Sequence, residues 1–384
     1  MREIYLDNAA ATPLDPRVKK EMIRAMDLVG NPSAYNDASR IAAEELTNAR
    51  KKIARFLGAH EDEVIFTASG SEANTLAIFG TAAKAKKGQT GIITTPIEHL
   101  SVLEPLRALE KTGTPVRYIK VDHEGWIHID DLEKMLNNKT NLVSVMYANN
   151  EIGTVQPIKR IGKIIQAKKK NGRPLFHVDA CQATGYLPMN VNELGVDILT
   201  FNGSKIYGPR GMGVLYVRRG TPIAPQILGG GQEHGLRAGT ENLPAIVGLA
   251  KAVALIDQKK NGRLAKLQEY FLGELKKILP DAKINGALGN DRLPNNINVS
   301  IPGLDSETLL LELDKYGIRA GSGSACMARS VEPSHVLKAI GVKKPYLDGA
   351  LRFSLGRQTT RKEIAYLLNV LPKIVQVLKK RYQD

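Results

Sequence analysis

The sequence predicts an α/β sandwich on a mostly parallel sheet of seven strands, and three observations carry that prediction. Short Val- and Ile-rich runs without clean alternation recur between positions 64 and 217, as expected of strands buried on both faces. Amphipathic segments of helical period separate these runs. Glycines close several of those segments, where a left-handed residue commonly ends a helix.

In chain order, the segment 38–57 carries Ile41, Leu46, Ile53 and Leu57 along one helical face and stops at Gly58. A strand at 64–67 leads into a helix over 71–87 closed by Gly88, and a strand at 91–95 into a helix over 100–111 that ends near Gly113. Further strands are expected at 116–121, 142–148, 175–179, 198–201 and 213–217. After Gly229, Gly230 and Gly231 the texture changes. Helices at 244–260 and 264–279 precede a strand at 296–301, a helix at 306–316, a Gly/Ser loop and a last helix over 361–381. A domain boundary is expected within the helical stretch, near residue 258.

Composition narrows the function classes. The chain has 384 residues and is 43% hydrophobic, which gives a real core and excludes a mainly disordered state. Two cysteines exclude a disulfide-built scaffold, and no CxxC pair is present to bind zinc. The start, MREIYLDNAAATP, lacks the apolar stretch of a signal peptide, and no run of about 18 apolar residues occurs. A cytoplasmic protein without a membrane span is expected. Lys and Arg number 54 against 39 Asp and Glu, a net charge of +15. The excess is strongest at Lys343, Lys344, Lys379, Lys380 and Arg381. With no nucleic-acid motif or interleaved aromatics beside it, it reads as solvated helix faces, and direct nucleic-acid binding is not expected.

Four segments carry chemistry. In FTASGSEANTLAI (66–78) a Gly/Ser turn joins a strand to a helix, so amides of Gly70 and Ser71 at the helix start suit a phosphate. On its own this is also the pattern of an ordinary Ser-rich cap. HVDACQ (177–182) ends a strand in Asp179, at the strand end where α/β folds gather ligands; Asp179 as a turn cap is the alternative. ILTFNGSKIYGPRG delivers Lys205 in the same way, with Ile206 and Tyr207 desolvating it toward a nucleophilic amine. A lysine, a strand-end Asp and a phosphate-binding helix start are together what pyridoxal 5'-phosphate requires: a Schiff-base partner, a carboxylate on the pyridine nitrogen, and a phosphate site. In GSGSACMARS (321–330), Cys326 sits in a flexible Gly/Ser loop and reads as a nucleophile, whereas Cys181 reads as a packed small hydrophobe.

The chain resembles the pyridoxal-phosphate-dependent cysteine desulfurases of the NifS/IscS type nearly end to end. The matching segments are YLDNAAATP, FTASGSEAN, IEHLSVLEPL, NNEIGTVQPI, HVDACQA, SKIYGPRG, GGGQEHGLRAGTEN, GSGSAC and LRFSLGR, in the family's order. The resemblance implies fold type I of the class V aminotransferases and a homodimer. It also implies a large cofactor domain over 13–257, and a small α+β domain from 1–12 and 258–384 carrying the catalytic-cysteine loop at about 318–332. It further implies that Lys205 bonds the cofactor and removes the substrate Cα proton, that Asp179 binds the pyridine nitrogen, and that His99 stacks on the ring and assists acid/base steps. Asn150 and Gln182 would contact cofactor or substrate, and Gly70 and Ser71 the phosphate, joined by Thr240 from the other subunit. Arg352 would clamp the substrate carboxylate, and Cys326 would take the sulfur of L-cysteine as a persulfide, leaving L-alanine. The acceptor implied is an iron–sulfur scaffold protein or a tRNA-thiolation enzyme.

Duller roles exist for single residues: His99 as a packed helix-start residue, Asn150 as a turn residue, Arg352 as a surface ion-pair partner. Alternative functions are a selenocysteine lyase or another class V lyase or transaminase, and a non-catalytic basic scaffold for sulfur acceptors or tRNA. The chain departs from the family where a Ser three residues before the lysine and a His just before it usually hold the phosphate: Asn202 and Ser204 stand there, both hydrogen-bond donors. The loop after the thiol reads MARS where small Ser and Thr residues are common in the family.

Overall fold

A computed structural model describes residues 3–169, 172–323 and 333–381. Seven strands form the principal sheet, in the spatial order Val64–Thr67, Gly213–Val217, Ile198–Asn202, Leu175–Asp179, Thr140–Met146, Gly91–Thr94 and Val116–Tyr118. Gly213–Val217 runs antiparallel to both of its neighbours, and all other pairings are parallel. Strands such as Thr140–Met146 and Leu175–Asp179 are buried at every residue, which is why their sequences show no alternation. The fold is α/β on a mostly parallel seven-stranded sheet, as expected from the strand pattern.

This topology decides where chemistry gathers. Six of the seven strands point the same way, so the segments that follow them emerge on one edge of the sheet. From that edge issue the helix Gly70–Ala83, His99, Asn150, Asp179 and the turn Gly203–Lys205. Register fixes the depth of Asp179, which lies opposite Met146 on one side and Thr200 on the other.

A second sheet of three antiparallel strands orders Ala350–Ser354, Asn296–Ser300 and Lys283–Ile284, with Arg352 opposite Asn298. The helices Asn261–Ile278, Ser306–Lys315 and Arg361–Arg381 pack on it around Leu264, Phe271, Val299, Phe353 and Leu371. Ile4 and Leu6 join that core, and Ile4–Tyr5 pairs in parallel with Ile318–Arg319. Among the described residues no helix is long and apolar enough to cross a membrane.

Several expected boundaries move for local reasons. The helix expected over 244–260 is Leu243–Ala254; Asp257 then accepts from the Lys259 amide and caps a short turn before the next helix begins at Asn261. The strand expected at 116–121 shortens to the edge strand Val116–Tyr118, and that at 142–148 runs Thr140–Met146. The helix Pro16–Met26, absent from the expected elements, carries the start signal of an Asp15 cap followed by Pro16. The strand Ala350–Ser354 was hidden by an arginine at its centre, which packing and pairing bury completely.

Candidate active site

The turn that carries Lys205 is tight because its backbone is crowded. A Cβ on Gly203 would stand 2.6 Å from the Pro209 carbonyl oxygen, and Tyr207 adopts φ 62°, a left-handed conformation rare for a bulky residue. Tyr207 is held there by its amide donating to Thr12 Oγ1 at 2.7 Å and by its hydroxyl accepting from the Arg357 amide at 2.6 Å. Lys205 is thereby aimed into a cavity of about 220 Å³, where its Nζ donates to the Ala10 carbonyl. A second cavity of about 350 Å³ lies on the other side of Lys205, but its arginines are already engaged. Arg17 pairs with Asp15, Arg263 donates to the carbonyls of Gly356, Arg357 and Thr359, and Arg357 stacks over Tyr207.

Gly70, Ser71, His99, Asn150, Asp179, Gln182, Asn202, Lys205 and Arg352 all line the smaller cavity. Asp179 is 5% exposed; its Oδ1 accepts from the Cys181 amide at 2.9 Å and its Oδ2 from Asn74 Nδ2 at 2.8 Å. The helix Gly70–Ala83 starts with a reciprocal cap. Ser69 Oγ accepts from the Glu72 amide at 3.0 Å, and Glu72 Oε2 accepts from the Ala68 amide at 3.1 Å, which turns the Gly70–Ser71 end toward the cavity. Gly70 is required there: a Cβ would meet Cys181 Sγ at 2.8 Å and Asn202 Nδ2 at 3.0 Å.

His99 caps the helix Leu100–Lys111 with its own ring, Nδ1 accepting from the Ser101 amide at 3.1 Å. Its proton therefore sits on Nε2. Burial holds the ring below the usual histidine range, so it stays neutral, with the Asp179 charge opposing that shift. Asn74 donates both to Ser101 Oγ and to Asp179, and so links the histidine to the carboxylate. Sequence reasoning passed over Asn74 and Ser101, because which helix face meets the sheet edge is a tertiary fact. Immediately before His99, the fully buried Glu98 accepts from Thr95 Oγ1 at 2.7 Å and from the Met146 amide at 3.0 Å; desolvation pushes its carboxyl up to about 8.

Arg352 is buried within the strand Ala350–Ser354, and its guanidinium donates to the Asn150 carbonyl at 3.0 Å and to Asp7 at 2.9 Å. Gln182 Nε2 donates to the Ala9 carbonyl at 2.9 Å. Ser204 does not line the cavity; its hydroxyl donates to Asn202 Oδ1 at 3.1 Å. Thr240 is exposed and lies outside the cavity. Cys326 lies outside the described residues.

The donor set fits pyridoxal phosphate. One cavity wall offers a helix start without a side chain at Gly70, beside the Asn202 amide, which suits a phosphate. A buried carboxylate already fixed on both oxygens suits a protonated pyridine nitrogen, and a primary amine faces the same space.

The chain matches the "Aminotransferase class-V" family model over residues 4–367. It is 46% identical over 387 aligned positions to the "Cysteine desulfurase IscS" of Dictyoglomus turgidum (strain DSM 6724 / Z-1310), covering 98% of this chain and 96% of that one. Among solved structures, one described as "NIFS-LIKE PROTEIN" superposes with a TM-score of 0.90 at 37% identity, over 98% of this chain and all of that one. Another, described as "SspA in complex with cysteine", gives 0.80 at 34% identity over 92% of this chain and 98% of that one.

Proposed function

The chain belongs to the class V aminotransferases and, among them, to the cysteine desulfurases, and from that premise we propose that it converts L-cysteine to L-alanine and retains the sulfur on Cys326. It is an enzyme of a pyridoxal-phosphate-dependent family. The observation that carries the reading is the convergence of Lys205, Asp179 and the Gly70–Ser71 helix start in one cavity at the carboxyl edge of the sheet.

Bound there, pyridoxal phosphate supplies an electron sink for the substrate's Cα. The Gly70 and Ser71 amides, with Asn202 and the partner subunit's Thr240, would hold the phosphate, and Ser204 orients Asn202. Asp179, kept in place by Asn74 and the Cys181 amide, would hold the pyridine nitrogen protonated. Lys205, whose Nζ faces the same cavity, would hold the cofactor covalently and would take the substrate Cα proton. His99, neutral and protonated on Nε2, lines the same cavity and would serve there to move a proton at the substrate. Arg352 receives the substrate carboxylate with the planar geometry that only a guanidinium offers, while Asn150 and Gln182 border the same space. The Cys326 thiolate attacks the substrate sulfur; the S–S bond forms as the Cβ–S bond breaks, and the carbon skeleton is reprotonated to alanine. The outer sulfur of the persulfide then passes to an iron–sulfur scaffold or a tRNA-thiolation enzyme in the cytoplasm, which frees the Cys326 thiolate.

Two cores support a division into a cofactor domain over 13–257 and a smaller domain from 1–12 and 258–384. Homodimerisation is supported by Met26, Val29, Tyr35 and Leu228, large apolar side chains left exposed. Light scattering should give a mass about twice the 41.9 kDa of the chain, and a monomer at micromolar concentration contradicts the dimer.

The mechanism is tested with Cys326→Ser. The variant should keep the visible band of the bound cofactor and lose sulfide release from cysteine, whereas Lys205→Ala should lose both. Undiminished turnover in Cys326→Ser would sink the assignment. Selenocysteine and cysteine sulfinate, offered beside cysteine, discriminate the lyase alternatives.

A further inference from the structure

The chain on either side of positions 324–332, the stretch that contains Cys326, is fixed next to the cavity by side chains outside the catalytic set. Before it, Gly321 pairs with the buried Arg352 through both backbone bonds: its amide donates to the Arg352 carbonyl at 3.0 Å, and its carbonyl accepts from the Arg352 amide at 2.5 Å. A Cβ on Gly323 would stand 3.1 Å from Glu151 Oε2, so the backbone there lies directly against that carboxyl. After the stretch, Ser334 Oγ donates to the same Glu151 Oε2 at 2.5 Å. That hydroxyl also accepts from the Leu337 amide at 3.2 Å, capping the helix His335–Ala339. His335 Nε2 donates at 2.9 Å to the carbonyl of Glu98, the residue before His99. Glu151 itself is 1% exposed and held firmly. Its amide donates to Asn149 Oδ1 at 2.8 Å, and its carbonyl accepts from the side chains of Asn296 at 3.0 Å and Asn298 at 3.2 Å.

We propose that Glu151 is a positioning residue for the sulfur-accepting thiol: one buried carboxyl oxygen clasps both ends of the chain that carries Cys326, Ser334 by a hydrogen bond and Gly323 by contact. The inference rests on the reading of Cys326 as the sulfur acceptor. Glu151 does not line the cavity and acts only through the two chain ends, whereas its neighbour Asn150 lines it and accepts from Arg352. Three residues of chain separate Gly323 from Cys326 and span at most about 11 Å, so the place where Gly323 is held bounds where the thiol can act. The reaction demands that precision, because a misplacement of about 1 Å can cost on the order of a hundredfold in rate. A glycine at 323 also follows from the contact, since a side chain there would push against the carboxyl.

The test mixes the full chain, loaded with pyridoxal phosphate, with one equivalent of L-cysteine and follows persulfide on the Cys326 peptide by mass spectrometry after quenching. Glu151→Ala should slow persulfide formation by about tenfold or more, and Glu151→Gln, which keeps an acceptor for Ser334, should recover most of that loss. Ser334→Asp keeps a cap for the helix His335–Ala339 but replaces the donor with a second carboxyl against Glu151. It should slow the step to a similar degree, and it carries the test should Glu151→Ala fail to fold. In both slow variants the absorbance of the bound cofactor and its change on adding cysteine should match the parent, because Lys205, Asp179 and Arg352 are untouched. Persulfide formation at the parental rate in Ser334→Asp overturns the proposal, and so does a slowing matched by an equal loss of bound cofactor. A parent protein that forms no persulfide on Cys326 defeats the desulfurase reading itself, and this inference falls with it.

Discussion

At the scale of single residues, the site is a matter of which donor reaches which acceptor. Asp179 was legible as a strand-end carboxylate, but the two bonds that hold it, from Asn74 and from the Cys181 amide, were not. Asn74 is distant in sequence, and only the packing of its helix against the sheet edge brings its amide within 2.8 Å. Arg352 was legible through the LRFSLGR match, while its partner Asp7 lies 345 residues away and had no local signal. Positions 202 and 204 lead to a prediction at this scale. Ser204 spends its proton on Asn202, so no cation arises there. A histidine at 204 would add a donor that can carry charge, and hydrogen bonds to charged groups contribute about 1.5–3 kcal/mol. Ser204→His should therefore lower the dissociation constant of pyridoxal phosphate by about tenfold or more, measured by fluorescence titration of the stripped protein. No tightening would refute the proposed role of these two positions.

Among elements, the strands and the helices that stop at Gly58 and near Gly113 were the legible ones, since their periods and stops are written locally, whereas the helix expected over 71–87 ends at Ala83, short of Gly88. Leu175–Asp179, Gly213–Val217 and Leu100–Lys111 occupy the positions that their patterns indicate. The strand Ala350–Ser354 was missed because a buried arginine contradicts the composition of a core strand until its partners are known. Gly213 shows how closely two elements approach at the site. A Cβ there would stand 2.5 Å from the carbonyl of Ser69, the cap of the helix Gly70–Ala83. Backbone cannot yield as a flexible side chain can, so Gly213→Ala should destabilise the fold by about 1–3 kcal/mol, the usual range for overpacking. Displacing the cap should also weaken cofactor binding. Chemical denaturation and cofactor titration measure the two effects, and a variant as stable as the parent would show that the helix start is free to shift.

For the whole molecule, buried titratable groups set how stability responds to pH. Glu98 titrates near 8 in the folded protein against 4.5 as an ordinary carboxyl, because burial penalises its charge. Between those values the unfolded chain binds fewer protons than the folded one, so this group makes stability fall as pH rises, by about 1.4 kcal/mol per pH unit. His177, fully buried between Ser144 and Thr200, is pushed down to about 4 from 6.5. Its sign is opposite: stability is present above 6.5 and is lost as pH falls toward 4. The two slopes oppose one another between 4.5 and 6.5, and Glu98 acts alone from 6.5 to 8. Denaturation midpoints of Glu98→Gln should lack the decline that the parent shows from pH 6.5 to 8. A parent curve that matches the variant across that window would contradict the assignment.

The sequence by itself determined the α/β class, the strand-end placement of Asp179 and Lys205, and the helix start at Gly70, because period, turn chemistry and local caps are encoded within a few residues. Its ordered motifs also carried the family. Only the tertiary structure decided that these groups share one cavity with Arg352, that Asn74 joins His99's neighbour to Asp179, and that Cys181 lies between Asn202 and Asp179 rather than in an inert core. The physical reason is range. Hydrophobic period and capping act over one turn or one strand, whereas strand order and register, which turn six strand ends toward a single edge, arise from pairings between residues far apart in the chain.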